Sequence, residues 1–325
     1  MRVAVFSSTA FGYRCLKDGI LPAQQVQLAG ILTTPAKIDI SYSKTPVSIC
    51  THVCFDELAT QAGAELAVLD AKATPSACRQ HLARWKPDLL LVLGWYYMVP
   101  MAIIQTARLG CAGIHASLLP RYRGGAPIPW AIINGETRTG ITLFYFDDGV
   151  DTGDVIAQRN FPIEQDDTCA TVYDKATQAS IETLRELLPL MAKGAAPRRR
   201  QDESQATQFP QRSPEDGCID WGCGAKRIYD FVRAQTRPYP GAFTSFRGEK
   251  VTVWQAKRTR QSSPGAPPGS IAGDIADAMG VWCGDGEMLA VQEVGLSDGR
   301  EMTGAQFVAA HSIESGELFR DEANL

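Results

Sequence analysis

The sequence predicts an α/β protein with two domains, a doubly wound and mostly parallel sheet followed by a small β-barrel. Short apolar runs alternate with helical patterns over roughly the first 190 residues, as they do in parallel α/β sheets. Later in the chain, short apolar runs are separated by Gly, Pro and Asp turns, which is typical of small barrels. The length of 325 residues exceeds the usual size of one domain.

The first domain is predicted to contain six strands and five helices, assigned from apolar runs and helical spacing. The predicted strands are residues 3–6, 27–32, 66–69, 88–93, 112–115 and 141–146. The predicted helices are residues 9–19, 54–61, 76–85, 100–107 and 169–191. The last helix closes the domain because it carries an apolar stripe. The stripe comprises Val172, Ala176, Ile181, Leu184, Leu187 and Leu188.

We place the first domain at residues 1–192, a linker at 193–213 and the second domain at 214–325. The linker is rich in Gly, Ala, Pro, Gln and Ser, and its basic run Arg198-Arg199-Arg200 is interpreted as part of a solvated connector. The second domain is predicted to open with a helix at 225–234, followed by strands at 242–246, 250–255, 280–283 and 288–294. No internal repeat is visible.

Composition favours a cytoplasmic protein. The chain carries nine cysteines, an odd and scattered number that suits a reducing compartment better than a disulfide framework. No apolar stretch is long enough to span a membrane, and the first residues run directly into a strand, so we expect neither a signal peptide nor a membrane partner. The sequence does not distinguish a monomer from a homodimer.

One segment, Cys50-Thr51-His52-Val53-Cys54, raises the question of a metal site. On a strand, its two thiols and its imidazole would lie on one face. A matching Cys-x-x-Cys pair is missing elsewhere, so we interpret the segment as a loop and expect no metal.

His115 and Asp151 are the strongest candidates for chemistry. Each follows a predicted strand and a Gly-containing turn, and we expect both at the strand ends where the winding of the sheet reverses. An imidazole beside a carboxylate can bind a developing oxyanion or pass a proton. The alternative is that His115 bonds the backbone of a crowded turn while Asp151 caps the next element.

The residues around this pair resemble the formyltransferases that use 10-formyltetrahydrofolate. The resemblance rests on residues 87–100, on Gly113-Ile114-His115-Ala116-Ser117-Leu118-Leu119-Pro120-Arg121-Tyr122-Arg123-Gly124, on residues 134–142 and on Gly149-Val150-Asp151-Thr152-Gly153-Asp154. Residues 214–221 and 237–244 resemble the opening of the OB-like C-terminal domain of the tRNA and sugar branches. The resemblance implies a Rossmann-like first domain and N-formyl transfer with 10-formyltetrahydrofolate as co-substrate.

Gly113 departs from the family pattern. The family motif is Asn-x-His, and the resemblance makes this amide a donor to the formyl oxygen. Losing one such donor costs about 10²–10³ in rate in comparable acyl-transfer sites. Compensating donors are the Ser117 hydroxyl, a backbone N–H near Gly113, or an ordered water.

The resemblance also assigns binding residues. The pterin is expected against Met98-Val99-Pro100 and the loop holding Asp147, Gly149 and Val150, chiefly through backbone groups. The acceptor is expected near a second set, which comprises Thr9, Ser117, Arg121 and Arg123. The two arginines can meet a phosphate or a carboxylate, or they can form structural ion pairs.

Three functions remain open on sequence grounds. We favour transfer to a small-molecule amine, such as an amino-sugar nucleotide, an amino acid or hydroxyornithine, over a methionyl-tRNA formyltransferase or a folate-binding protein without catalysis. The net charge of −4 argues against specific nucleic-acid binding. The loop at residues 34–47 has only two lysines, and its Tyr-Ser-Lys-x-Pro-Val pattern resembles formyltransferases of bacterial secondary and surface-sugar pathways.

Overall fold

A computed structural model describes residues 1–39, 46–69 and 75–320 of the chain. These residues form two compact units. The first unit comprises residues 1–127, 138–162 and 174–209, and the second comprises 128–137, 163–173 and 210–325. The predicted boundaries near 192 and 213 stay predictions. Residues 42–45 of the Tyr-Ser-Lys-x-Pro-Val pattern lie outside the described residues.

The first unit is built on a seven-stranded sheet. Its strands are β1 (Arg2–Phe6), β2 (Gln27–Thr33), β5 (Glu65–Val68), β6 (Leu89–Val92), β7 (Cys111–His115), β9 (Arg138–Tyr145) and β10 (Val155–Pro162). The short pairs β3 (Lys37–Ile38) with β4 (Val47–Ser48), and β8 (Arg123–Gly124) with β11 (Gln208–Phe209), lie outside it. The strand order is β10-β9-β7-β6-β1-β2-β5.

The predicted, mostly parallel sheet is confirmed. The five strands from β7 to β5 pair in parallel, whereas β9 pairs antiparallel with both of its neighbours, β7 and β10. The central strands β1 and β6 are buried on both faces, so they appear in the sequence as continuous apolar runs. The sheet order reverses between β1 and β6, one strand away from β7. The prediction that His115 lies at the reversal is therefore wrong by one strand.

Helices also connect the strands of this sheet. Their bounds are α1 (Ala10–Arg14), which continues as a π-helix (Cys15–Ile20), α2 (Asp56–Ala62), α3 (Pro75–Trp85), α4 (Met101–Ile104) and α6 (Cys169–Ala192), whereas α5 (Pro127–Ile133) belongs almost wholly to the second unit. The predicted stripe of α6 is confirmed, since its six apolar residues are all buried. The predicted helix at 100–107 is shorter than expected and ends at Ile104.

The second unit contains, besides α5, an antiparallel sheet with two further helices. Its strands are β12 (Ala242–Phe246), β13 (Glu249–Ser262), β14 (Ile271–Ile275), β15 (Ala278–Trp282), β16 (Glu287–Leu296) and β17 (Glu301–Thr303), and its helices are α7 (Ala225–Gln235) and α8 (Gly304–Ala310). The order is β12-β13-β16-β15-β14, with β17 paired to β16. Sequence analysis missed β14, β17 and α8. The OB-like barrel stays a prediction.

No helix within the described ranges combines the length and the apolar character needed to cross a membrane.

Candidate active site

His115 is the last residue of β7 and is 9% exposed. Its Nε2 lies 2.6 Å from the main-chain oxygen of Tyr122, and its Nδ1 lies 3.6 Å from Oδ2 of Asp151. The structure therefore brings the two predicted residues together. The distance of 3.6 Å exceeds a direct hydrogen bond, so Nδ1 retains capacity for another partner.

Asp151 reaches His115 by a different route from the one expected. Strands β7 and β9 are antiparallel, and His115 lies opposite Thr142, so the carboxyl end of β9 lies at the opposite end of β7. The loop at residues 147–154 runs back along β7 to deliver the carboxylate. Asp151 adopts a left-handed backbone conformation with φ of +55°, and its Oδ2 accepts a hydrogen bond of 2.9 Å from the Gly124 N–H. The prediction that two strand ends converge is therefore wrong.

The turn after His115 is closed by internal hydrogen bonds. The Ser117 side chain is buried, and its hydroxyl donates to the main-chain oxygen of Arg121 at 2.6 Å. The Ser117 hydroxyl therefore neither replaces the missing asparagine amide nor binds the formyl-accepting substrate, because its only hydrogen-bond donor is already used. Thr9 is also buried, and its side chain caps the start of α1. Its contact with the formyl acceptor stays a prediction.

Arg123 forms a structural ion pair. Its guanidinium, 7% exposed, donates to both Glu203 carboxylate oxygens at 2.7 and 2.8 Å and to Oε1 of Gln201. The hydrogen bond with Glu203 raises the pKa of Arg123, and the same bond lowers the pKa of Glu203. Of the two interpretations of Arg123, the ion pair holds and the substrate contact does not. Arg121, by contrast, is exposed, with its guanidinium 5.7 Å from the Tyr122 ring centre.

The segment at residues 199–209 is mostly exposed, as expected of a connector, but it is anchored to the first unit at particular residues. Its β11 pairs with β8, and the Phe209 ring stacks on Tyr122 with centroids 4.8 Å apart. Gln201 is 6% exposed and contacts both loops beside His115. Sequence reasoning missed Gln201, Glu203 and Phe209 because their partners lie far away in sequence and the local composition is typical of a linker.

The two loops predicted to bind the pterin expose apolar side chains. Met98 is 66% exposed and Val150 is 40% exposed, whereas Val99 is buried. The Pro100 backbone begins α4 as its N-cap.

Asp147 and Gly149 shape the second of these loops. Oδ1 of Asp147 accepts hydrogen bonds from the Gly149 N–H at 3.1 Å and from the Thr152 hydroxyl at 2.6 Å. A Cβ at Gly149 would lie 2.0 Å from Oγ1 of Thr152, so the loop requires glycine there. Asp147 thus organises the loop from within.

Gly113 lies against an aromatic ring. A Cβ at this position would lie 2.6 Å from Cε1 of Phe146 and 2.8 Å from the main-chain oxygen of Val92. The Phe146 ring also stacks on Phe144, with centroids 5.0 Å apart. The space that a side chain at position 113 needs is therefore occupied by the ring.

The Cys50-His52-Cys54 segment is a loop. The His52 Nε2 lies 2.9 Å from the main-chain oxygen of Thr34, and the Cys54 thiol bonds Asp56. Within residues 1–39, 46–69 and 75–320, no three His, Cys, Asp or Glu side chains are arranged to hold a metal ion.

Comparison with known proteins matches this chain to formyl transferases over both of its domains. Residues 1–188 match the family model described as formyl transferase, and residues 212–312 match the formyl transferase C-terminal domain. The methionyl-tRNA formyltransferase of Caldanaerobacter subterraneus is 34% identical, with 98% of this chain and 100% of that protein covered. The enzyme of the same name from Acetivibrio thermocellus is 32% identical, with 98% of this chain and 99% of that protein covered.

Solved structures share the fold at lower identity. HypX from Aquifex aeolicus in complex with tetrahydrofolic acid has a TM-score of 0.65 at 20% identity, covering 98% of this chain and 48% of HypX, so this chain spans about half of that protein. The N-formyltransferase from Helicobacter canadensis, solved with folinic acid and dTDP-3-aminofucose, has a TM-score of 0.63 at 16% identity, covering 89% of this chain and 98% of that one. On both domain matches and the near full-length relatives, this chain belongs to the formyl transferase family.

Proposed function

We propose that this protein transfers a formyl group from 10-formyltetrahydrofolate to the amine of a small molecule. The observation that carries the proposal is the His115–Asp151 pair, held 3.6 Å apart in a chain that matches both formyl transferase domains. A binding protein that had lost catalysis would have no need to keep a histidine and a carboxylate in this arrangement.

The formyl donor fits the two loops that carry Met98 and Val150. A pterin ring is flat and apolar on its faces, and these exposed side chains offer apolar surface next to main-chain groups. Tetrahydrofolic acid and folinic acid are bound by two proteins of the same fold, HypX and the Helicobacter canadensis N-formyltransferase. The loops are therefore the proposed donor site.

In the proposed reaction, the amine nitrogen attacks the formyl carbon, and a tetrahedral oxyanion forms. The Nε2–H of His115 donates to the Tyr122 carbonyl, so Nδ1 is the nitrogen that receives the amine proton. The resulting Nδ1–H hydrogen-bonds the oxyanion and keeps its proton until the folate nitrogen departs. Asp151 stabilises the imidazolium. The carbon–nitrogen bond to the folate then breaks, and the departing folate nitrogen takes the proton.

Charge distribution favours a small acceptor over tRNA. Residues 214–325 contain 11 lysines and arginines against 16 aspartates and glutamates, so the second domain is acidic. Arg198 lies over the Tyr145 ring and pairs with Asp154, and Arg199 donates to Gln158. Arg198 and Arg199 thus have partners within the chain, although the run Arg198-Arg199-Arg200 is exposed. The main feature that disfavours tRNA is therefore the acidic second domain, since nucleic-acid affinity depends on basic residues that reach phosphates.

The second candidate is a methionyl-tRNA formyltransferase. It is favoured by relatives of that name that are 32% and 34% identical along nearly the whole chain. Amino-sugar nucleotides remain the first acceptors to test because a fold neighbour was solved with dTDP-3-aminofucose.

Mass spectrometry decides between these acceptors. The purified protein is incubated with 10-formyltetrahydrofolate and a panel of amino-sugar nucleotides, amino acids, hydroxyornithine and methionyl-tRNA. We expect one small amine to gain a single formyl group and methionyl-tRNA to remain unformylated at physiological salt. Efficient formylation of methionyl-tRNA would establish the second candidate, and no formylated product in a panel with demonstrated folate binding would favour a binding protein.

A further inference from the structure

Gln201 makes four hydrogen bonds in a buried position beside the candidate site. Its Oε1 accepts from Nε of Arg123 at 3.2 Å and from Nη2 at 2.8 Å. Its Nε2 donates to the main-chain oxygens of Asp151 and Gly153, both at 2.8 Å. A guanidinium can only donate and a carbonyl can only accept, so these partners determine which way the amide points.

These bonds hold Asp151 from two sides. Gln201 bonds its main-chain oxygen, and the Gly124 N–H, next to Arg123, bonds its carboxylate at 2.9 Å. Gln201 therefore links the loop that carries the carboxylate to the turn that follows His115. Asp151 has a left-handed backbone, a conformation that Asp adopts more readily than most residues with a side chain, and the bonds from Gln201 and Gly124 hold it there.

We propose that Gln201 is a positioning residue for formyl transfer, an inference that rests on the proposed function. It holds Asp151 in the backbone conformation from which the carboxylate faces His115. The role needs two N–H donors for the carbonyls and one oxygen for the guanidinium, on a side chain of this length. Only a primary amide supplies that combination.

Gln201→Glu is the sharpest test because it keeps the length of the side chain and an acceptor for Arg123 but removes both N–H donors. We expect kcat with 10-formyltetrahydrofolate and the acceptor from the amine panel to fall by about tenfold to 10²-fold, as displacement of a catalytic group does. Folinic acid affinity should change less than kcat. Gln255→Glu, an exposed glutamine in the second unit, makes the same change of charge as a control.

Repeating the Gln201→Glu substitution in an Asp151→Asn protein distinguishes a positioning role of Gln201 from a general loss of structure. In Asp151→Asn, whose carboxylate is already removed, Gln201→Glu should change kcat by less than about twofold, because non-additivity is expected for residues that act as one unit. An equal loss of kcat in both backgrounds would overturn the proposal. Gln201→Met, which introduces no charge, replaces Gln201→Glu should the latter fail to fold.

Different experimental results would refute the role of Gln201 and the proposed function. Normal turnover in a folded Asp151→Asn protein removes the catalytic pair itself. Loss of turnover in Asp151→Asn together with normal turnover in both folded Gln201 variants leaves the pair intact and overturns the role of Gln201.

Discussion

Two loops flank His115, and they differ in how much apolar surface they expose. The turn at residues 118–124 is closed, because Arg123 is buried against Glu203 and β8 pairs with β11. The loop at residues 147–154 is held by Asp147 from within and by Gln201 from outside, and it leaves Val150 exposed. One side of the site is thus a packed wall, and the other offers apolar surface.

The difference indicates that the turn positions His115 and that the loop serves binding and catalysis. The ion pair of the buried Arg123 guanidinium and a strand pair define the turn beside His115, whereas the exposed loop carries both the carboxylate and the proposed donor contacts. Mutations in the turn should therefore act on folding, and mutations in the loop should act on binding and turnover.

The largest effect should come from the loop. Asp151→Asn should lower turnover by about 10³-fold, since it removes the charge that stabilises the imidazolium but keeps a side chain that tolerates a left-handed backbone. Steady-state kinetics and circular dichroism check this. Asp151→Ala is a less selective variant, because the same conformation costs alanine about 1 kcal/mol. Turnover within a factor of two of the unmodified protein would contradict the assignment of the pair.

Gly113→Asn tests whether β7 can return to the family pattern. We expect turnover to fall by at least about tenfold, because the Phe146 ring and the Val92 main-chain oxygen occupy the space and overpacking displaces neighbouring groups. The matched protein is Gly113→Asn with Phe146→Ala, which relieves the contact with the ring but not that with Val92, so the loss should be smaller without disappearing. A large gain of turnover in Gly113→Asn alone, at saturating formyl donor, would show that the amide fits and that the ring is no obstacle.

Arg123→Ala tests the closed turn. It removes hydrogen bonds to a charged group in a buried setting, and it should lower the free energy of unfolding by about 1–3 kcal/mol. Chemical denaturation measures this, with the exposed Arg300→Ala as control. Arg123→Lys should not restore the wild-type value, because an ammonium cannot reproduce a bidentate contact. An unchanged denaturation midpoint in Arg123→Ala would mean that the turn does not depend on its ion pair.

Val150→Ser and Met98→Ser should weaken folinic acid binding by about fivefold each, which corresponds to roughly 1 kcal/mol of apolar contact. Both side chains are exposed, so the unfolding temperature of the free protein should stay the same. Calorimetric titration with and without a chelator checks affinity, and we expect the chelator to have no effect. Unchanged affinity in both variants would move the donor site elsewhere.

The smallest effect concerns pH. The hydrogen bond from Arg123 lowers the pKa of Glu203 below its ordinary value of 4.5, so this carboxylate contributes stability above that pH and loses it as pH falls through the lowered value. Glu203→Gln should therefore flatten the acid side of the stability profile slightly, because Glu203 is 62% exposed and solvent screens the pair. An unaltered profile between pH 5 and pH 2, measured by thermal unfolding, would assign this dependence to other carboxylates.

The sequence by itself determined the alternating strands and helices, the mostly parallel sheet, and the choice of His115 and Asp151. These features depend on local patterns, namely apolar periodicity and residues at the ends of short runs. Only the tertiary structure decided the remainder. It showed that β9 runs antiparallel to β7, that the Phe146 ring fills the space beside Gly113, and that Arg123 is an ion pair.

The segment at residues 199–209 shows why these contacts were not predictable from the sequence. Its composition is typical of a linker, yet Gln201 and Glu203 bond Arg123 across 78 and 80 residues. The partners of a polar side chain depend on which distant elements fold beside it, and a single sequence carries no periodic signal for such contacts. Burial then decides the outcome, because a guanidinium removed from water needs hydrogen-bonding partners.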